Sequence, residues 1–217
     1  MSICKREDET GIAIHMTSSS ADAASLKRRK PRGPWAMFFK GFLKHPVMVG
    51  SIIPSSDALI AKMLGPVDWA NTKVFVEYGP GVGTFCQHIL SRLKPDSIYI
   101  AIDTNPEFID YLTDTITDSR FRAVLGSAVD VEQIVRDSGC DHADYVLSGL
   151  PFSTLPSGIG PAIAAATGRV IRTGGAFLIY QFSPKARGFV APHFGKIDHG
   201  FEFWNMPPAQ LYWAWKD

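Results

Sequence analysis

Glu77-Tyr78-Gly79-Pro80-Gly81-Val82-Gly83 is the stretch that decides how this chain folds. It follows the apolar run Val74-Phe75-Val76 and precedes a helical pattern that begins near Thr84. Glycines at alternate positions suit a chain that turns sharply from strand to helix. They also let the backbone approach a ligand with no Cβ in the way. A dinucleotide loop of the G-x-G-x-x-G type is excluded, because Thr84, Phe85 and Cys86 follow Gly83. No G-x-x-x-x-G-K-[ST] phosphate cradle occurs either.

Outward from this loop the chain alternates strand and helix patterns. Strands are expected at 73–78, 97–102, 121–125, 143–148 and 176–182. Helices are expected at 57–64, capped by Asp57, and at 84–93, 106–116 and 130–136, with another running from the loop 149–156 to about 172. Such alternation predicts an α/β fold: a doubly wound, mostly parallel sheet with helices on both faces. Two aromatic strands, 200–205 and 210–215, are split by Pro207-Pro208 with no helix between them. They are expected to add one antiparallel strand.

With 217 residues, 46% hydrophobic and 20% charged, the chain is long enough for one well-packed domain with an appendage. Its net charge of +1 hides an uneven distribution. Lys27, Arg28, Arg29, Lys30, Arg32, Lys40 and Lys44 crowd a stretch without a single acid, whereas residues 57–217 are mildly acidic. A basic arm of this kind suits a polyanion, either nucleic acid or an anionic membrane surface. We read 1–33 as a disordered basic tail, 34–56 as an amphipathic helix and linker, and 57–217 as the folded domain. In the helix Trp35, Phe38, Phe39, Phe42 and Leu43 recur at one-face spacing, with Lys40 and Lys44 beside them. This face can lie on a membrane or pack on the domain as core. No apolar run reaches the ~18 residues of a spanning helix, and the N-terminus lacks the apolar region of a secretory signal. Cys4, Cys86 and Cys140 fit reduced thiols. The six histidines show no metal spacing, and no nucleophile elbow occurs, so neither a metal nor a covalent intermediate is expected.

Asp103 ends the second strand, where a carboxylate can accept hydrogen bonds from ribose hydroxyls. Together with the glycine loop, it gives the domain a resemblance to the Rossmann-like, seven-stranded S-adenosylmethionine-dependent methyltransferases. That resemblance implies that Gly79, Gly81 and Gly83 face the amino-acid part of the cofactor and Asp103 its ribose. Gly126, Ser127 and Ala128 would flank the adenine, with Glu77, Tyr78, Thr104 and Ser148 completing the cofactor's surroundings.

A narrower resemblance rests on Glu77 to Phe85, on Ser148-Gly149-Leu150-Pro151-Phe152-Ser153-Thr154-Leu155-Pro156 and on Tyr180-Gln181-Phe182. These segments are similar to the bacterial phospholipid N-methyltransferases. The expectation is then an enzyme of the inner membrane face that methylates phosphatidylethanolamine stepwise towards phosphatidylcholine. It would be cytoplasmic, peripheral on the membrane through the aromatic helix, and monomeric, with no nucleic-acid partner. An RNA adenine N-methyltransferase and an inactive membrane-binding module are the alternatives.

Methyl transfer is an in-line displacement, so the acceptor amine must be held about 3 Å from the methyl carbon. The Gly149-Leu150-Pro151 turn supplies fixed backbone carbonyls, and the Tyr180 hydroxyl can orient or deprotonate the amine. Phe152, Tyr180, Phe182 and Trp204 are candidate aromatic faces for a quaternary ammonium product. Lys185 and Arg187 are candidate contacts for a phosphate.

Overall fold

The computed structural model describes residues 56–152, 155–181, 186–203 and 208–217. The aromatic run containing Trp35, Phe38, Phe39, Lys40, Phe42, Leu43 and Lys44 lies outside them, as do Phe182, Lys185 and Trp204. Seven strands form one sheet: β1 (Val74–Tyr78), β2 (Ile98–Asp103), β3 (Phe121–Leu125), β4 (Ala143–Ser148), β5 (Ile171–Gln181), β6 (Lys196–Glu202) and β7 (Ala209–Trp215). Their order is β3-β2-β1-β4-β5-β7-β6. The first five run parallel, and β7 is antiparallel to both β5 and β6. This is the Rossmann-like sheet expected from the strand–helix alternation. The closing hairpin places β7 inboard of β6.

Six helices cover the sheet among the described residues: α1 (Asp57–Leu64), α2 (Cys86–Leu90), α3 (Pro106–Thr115), α4 (Val131–Asp137), α5 (Ile159–Val170) and α6 (Ala186–Val190). Alternation along each strand sorts the core into two layers. Val74, Val76 and Tyr78 pack with Val131, Val135, Ile163 and Val190, under α4, α5 and α6. Phe75 packs with Leu59, Met63, Ile89 and Leu112, under α1, α2 and α3. β1 is buried along its whole length, as a strand covered on both faces must be.

Several boundaries differ from the sequence reading. Ser56, not Asp57, caps α1, its hydroxyl accepting from the Leu59 N–H at 3.2 Å. α2 is only Cys86–Leu90, because the chain spends Gly83 to Phe85 completing the turn. β5 begins at Ile171, where the β-branched side chain pairs with Ala143 instead of prolonging α5. β6 begins at Lys196, and α6 occupies part of what reads as a loop. No helix among the described residues is long and apolar enough to cross a membrane.

Candidate active site

The four loops after β1, β2, β3 and β4 meet at one edge because each strand end is tied to its neighbour. The Gly79 N–H donates to the Ile102 carbonyl (2.9 Å), Gly126 N–H to Asp103 (2.9 Å) and Gly149 N–H to Tyr78 (3.3 Å). Gly79, Gly81 and Gly83 have φ of 64°, 56° and 81°, in the left-handed region that side chains other than glycine resist. Two of them make room for protein. A Cβ on Gly79 would fall 2.9 Å from Leu150 Cδ2, and one on Gly83 would fall 2.8 Å from Leu112 Cδ2. Gly81 is different, because a Cβ there would meet nothing within 4 Å. Its backbone opens on space, and the Asp103 carboxylate bounds that space.

Asp103 is half-buried, and burial raises its pKa against the lowering effect of the main-chain N–H groups of Asn105, Gly81 and Thr104. Its Oδ1 accepts from the Asn105 N–H at 2.9 Å. It does not cap α3: Asn105 does, accepting from the Glu107 N–H at 2.9 Å. With the Gly81 N–H also reaching its carboxylate, Asp103 faces the glycine loop rather than serving the helix. Ser127 and Ala128 lie beyond β3. The Ser127 Oγ accepts from the Val129 N–H at 3.3 Å, Ala128 is buried, and a Cβ on Gly126 would fall 3.1 Å from Ile134 Cδ1. The Ser127 hydroxyl keeps its proton for donation.

Beneath the loop lies a buried polar chain centred on Glu77, which was expected beside the cofactor; its partners Tyr99 and Cys86 were not singled out from the sequence. Glu77 is 1% exposed, and Tyr99 donates its hydroxyl to Glu77 Oε2. The Cys86 Sγ stands 3.3 Å from the same hydroxyl. Burial pushes the Glu77 pKa up to about 7, partly offset by the Tyr99 hydrogen bond and reinforced by the charge of Asp103. A glutamate in an apolar strand signals that some partner must face it. Tyr99 could be found only from the register, which pairs it with Phe75 and so sets it diagonally across from Glu77.

At the fourth strand, Ser148 is fully buried and its Oγ accepts from the Leu150 N–H at 3.2 Å, fixing the turn into Gly149-Leu150-Pro151. Tyr180, at the end of β5, reaches across to this turn. Its ring lies on Phe85 with centroids 5.0 Å apart. A Cβ on residue 149 would fall 2.7 Å from Tyr180 Cζ and closer still to the hydroxyl. The glycine at 149 is what lets the phenol lie against the backbone. Thus the glycine loop, the Ser148 turn and Tyr180 share one edge, with Leu150 bridging to Gly79.

Phe152 and Arg187 are not brought to that cluster. Phe152 is 3% exposed, with Phe177 and Phe189 against it at 6.4 and 6.5 Å, so its ring is core and offers no open face to a cation. Arg187 is exposed on α6, and its charge reaches Tyr212, opposing the upward effect of burial on that phenol. Tyr212 and Ile179 share one layer of core, whereas Tyr180 belongs to the other. Arg187 and Tyr180 therefore serve opposite faces of the sheet.

The chain is 30% identical over 180 residues to the ornithine lipid N-methyltransferase of Singulisphaera acidiphila, covering 82% of this chain and 94% of that one. It belongs to the same family as that lipid N-methyltransferase. No family model matches the chain. Among solved structures, the precorrin-6y C5,15-methyltransferase of Geobacter metallireducens superposes with a TM-score of 0.60 at 18% identity, over 77% of this chain and 92% of that one. The 16S rRNA N2 G1207 methyltransferase of T. thermophilus gives 0.57 at 14% identity, over 79% and 45%. These two share the fold. The chain is an S-adenosylmethionine-dependent methyltransferase, and the open side of Gly81 beside Asp103 fits that cofactor. No group of metal-ligating side chains occurs among the described residues. Asp103→Ala is expected to weaken S-adenosylmethionine binding by about 1.5–3 kcal/mol, or roughly 10–150-fold, as a charge-assisted site loses its acceptor. Calorimetric titration of the folded variant measures this, and wild-type affinity would place the ribose elsewhere.

Proposed function

We propose that the protein is a peripheral enzyme of the inner face of the cytoplasmic membrane. It methylates the primary amine of phosphatidylethanolamine, and then its mono- and dimethyl forms, towards phosphatidylcholine. The observation that carries this reading is the convergence of the Ser148-to-Pro151 turn and Tyr180 beside the glycine loop. The lipid-methylating relative supports the acceptor class and favours a second reading, in which the amine belongs to an ornithine headgroup.

S-adenosylmethionine, when bound, supplies an electrophilic methyl group on a sulfonium. The protein's part is to present a neutral amine in line with it. Carbonyls of the Ser148-to-Pro151 turn accept the amine's N–H bonds and point its lone pair. The Tyr180 hydroxyl, held against Gly149, sits where it can receive an N–H bond or pass on the proton that methylation releases. Phe85 and Leu150 exclude water from the turn.

Incubation with radiolabelled cofactor and vesicles containing either lipid tests the acceptor. Label in phosphatidylethanolamine supports the first reading, label in ornithine lipid alone the second, and label in neither rejects both. Tyr180→Phe keeps the ring on Phe85 and removes only the hydroxyl. Single-turnover methylation is expected to slow by about 10–100-fold with cofactor affinity within twofold. An unchanged rate would leave the turn as the only acceptor contact.

A further inference from the structure

The exposed apolar side chains are unevenly placed along the strand axis. Of the six ion pairs among the described residues, four sit at the amino ends of the strands: Lys73–Asp96, Arg120–Asp118 (2.6 Å), Arg172–Asp144 and Lys196–Asp198 (3.0 Å). Arg169–Glu132 (2.8 Å) joins α5 to α4, and Lys62–Glu202 (3.7 Å) lies at the carboxyl end of β6. The large apolar side chains left exposed show the opposite bias. Of the four among the described residues, Leu125 is the last residue of β3, Ile159 opens α5 after the Ser148 turn, and Phe203 follows β6. All three are at the carboxyl edge, where the glycine loop and Tyr180 lie. Tyr111, on α3, is the exception. Phe203 is the most open, 73% exposed, while its ring is braced by Phe201 with centroids 4.5 Å apart. Lys62 holds this tip by donating to the Phe201 carbonyl at 2.5 Å.

Single exposed hydrophobic residues need no explanation, but their collection at one edge, the edge that carries the site, does. The reaction supplies one. A lipid whose acyl chains stay in the bilayer carries its amine only through the headgroup layer, about 5–8 Å deep on each side. The amine can meet the Ser148 turn only if that edge lies against the membrane. Phenylalanine and aliphatic side chains suit the interfacial layer, and ion pairs suit water.

We infer that the carboxyl edge of the sheet is the surface on which the protein rests on a lipid bilayer, with Phe203 and Ile159 entering the interfacial layer beside the site. This rests on the lipid reading above. It assigns membrane contact to the folded domain itself, in addition to whatever the basic arm contributes. The lipid amine then enters from below, without the acceptor leaving the bilayer.

The test compares the full chain with its Ile159→Glu/Phe203→Glu variant, on vesicles of phosphatidylethanolamine and phosphatidylglycerol, on vesicles of ornithine lipid and phosphatidylglycerol, and on dihexanoyl-phosphatidylethanolamine dissolved as monomers. Leu125 is left intact because it adjoins Gly126. Charges in the interfacial layer are expected to lower turnover on vesicles at least ~10-fold while turnover on the monomeric lipid stays within about twofold. Equal turnover on vesicles, or an equal fall on both forms, overturns the inference. A wild-type chain that methylates neither lipid in any form rejects the lipid reading itself, and the inference with it. Should the variant melt early, benzoylphenylalanine placed at 203, and at 96 as a control, replaces it. Lipid adducts at 203 and not at 96 support the edge-on seating, and adducts at both or at neither overturn it.

Discussion

Raising the pH from 5 to 8 is expected to remove about 3 kcal/mol of stability through one side chain, Glu77. In the folded protein this carboxyl keeps its proton up to about pH 7, whereas its ordinary value is 4.5. Below 4.5 both folded and unfolded chains are protonated, and the full stability is present. Between the two values the folded state holds a proton that the unfolded state has lost, so stability falls as pH rises. Above 7 both are ionised and the loss is complete. The pKa of Asp103 is also raised, so it acts in the same direction. Asp118, drawn down to about 2 by Arg120, changes stability only in acid. Glu77→Gln keeps an acceptor for the Tyr99 hydroxyl and cannot ionise. Denaturant unfolding of both proteins across this range should show the variant gaining on the wild type as pH rises. Parallel curves would mean that the buried charge is relieved in some other way. A cationic ligand above the loop favours the ionised form, so occupancy of the site and the charge of Glu77 are coupled.

A larger loss is expected at the other end of the sheet. Asp144 is 6% exposed and serves three strands. Its Oδ2 accepts from the main-chain N–H groups of Lys73 (2.7 Å) and Val74 (2.8 Å), and its Oδ1 pairs with Arg172. The β1–β4 ladder begins only at Phe75 and Tyr145, so the carboxylate takes up the two N–H groups that precede it. Asp144→Ala would strand two donors and a half-buried guanidinium, at a cost of about 3–5 kcal/mol. For a domain of this size that lowers the melting temperature by on the order of 10 °C. Asp144→Asn retains one acceptor and should lose less. A fall below about 1 kcal/mol in Asp144→Ala would show that water replaces the carboxylate without penalty.

The glycine loop and Asp103 were legible in the sequence because their geometry is local. A strand, a turn and a helix start lie within a dozen residues, and the positive φ values leave glycine as the economical choice. The sheet class was legible for the same reason, from alternation alone. Pairings across the sheet were not. That Tyr99 serves Glu77, that Phe85 carries Tyr180, and that Phe152 is core depend on register and on which face a residue takes. A shift of one position along a strand reverses the second of these. Arg187 shows the difficulty most plainly. It follows Tyr180 by seven residues, yet α6 folds back under the opposite layer. Gly149 was read as part of a carbonyl-bearing turn, and its second role, admitting a phenol from β5, depends on how β4 and β5 pair.

The position of β7 sets an order of events during synthesis. β6 is made before β7 but touches the rest of the sheet only through it. Until residues 209–215 emerge, β5 presents an unpaired flank and β6 has nothing to join. The closing hairpin, β6 and β7, therefore joins the sheet as a unit rather than strand by strand. During that interval the exposed flank of β5 is the place where a nascent chain would pair with the wrong partner.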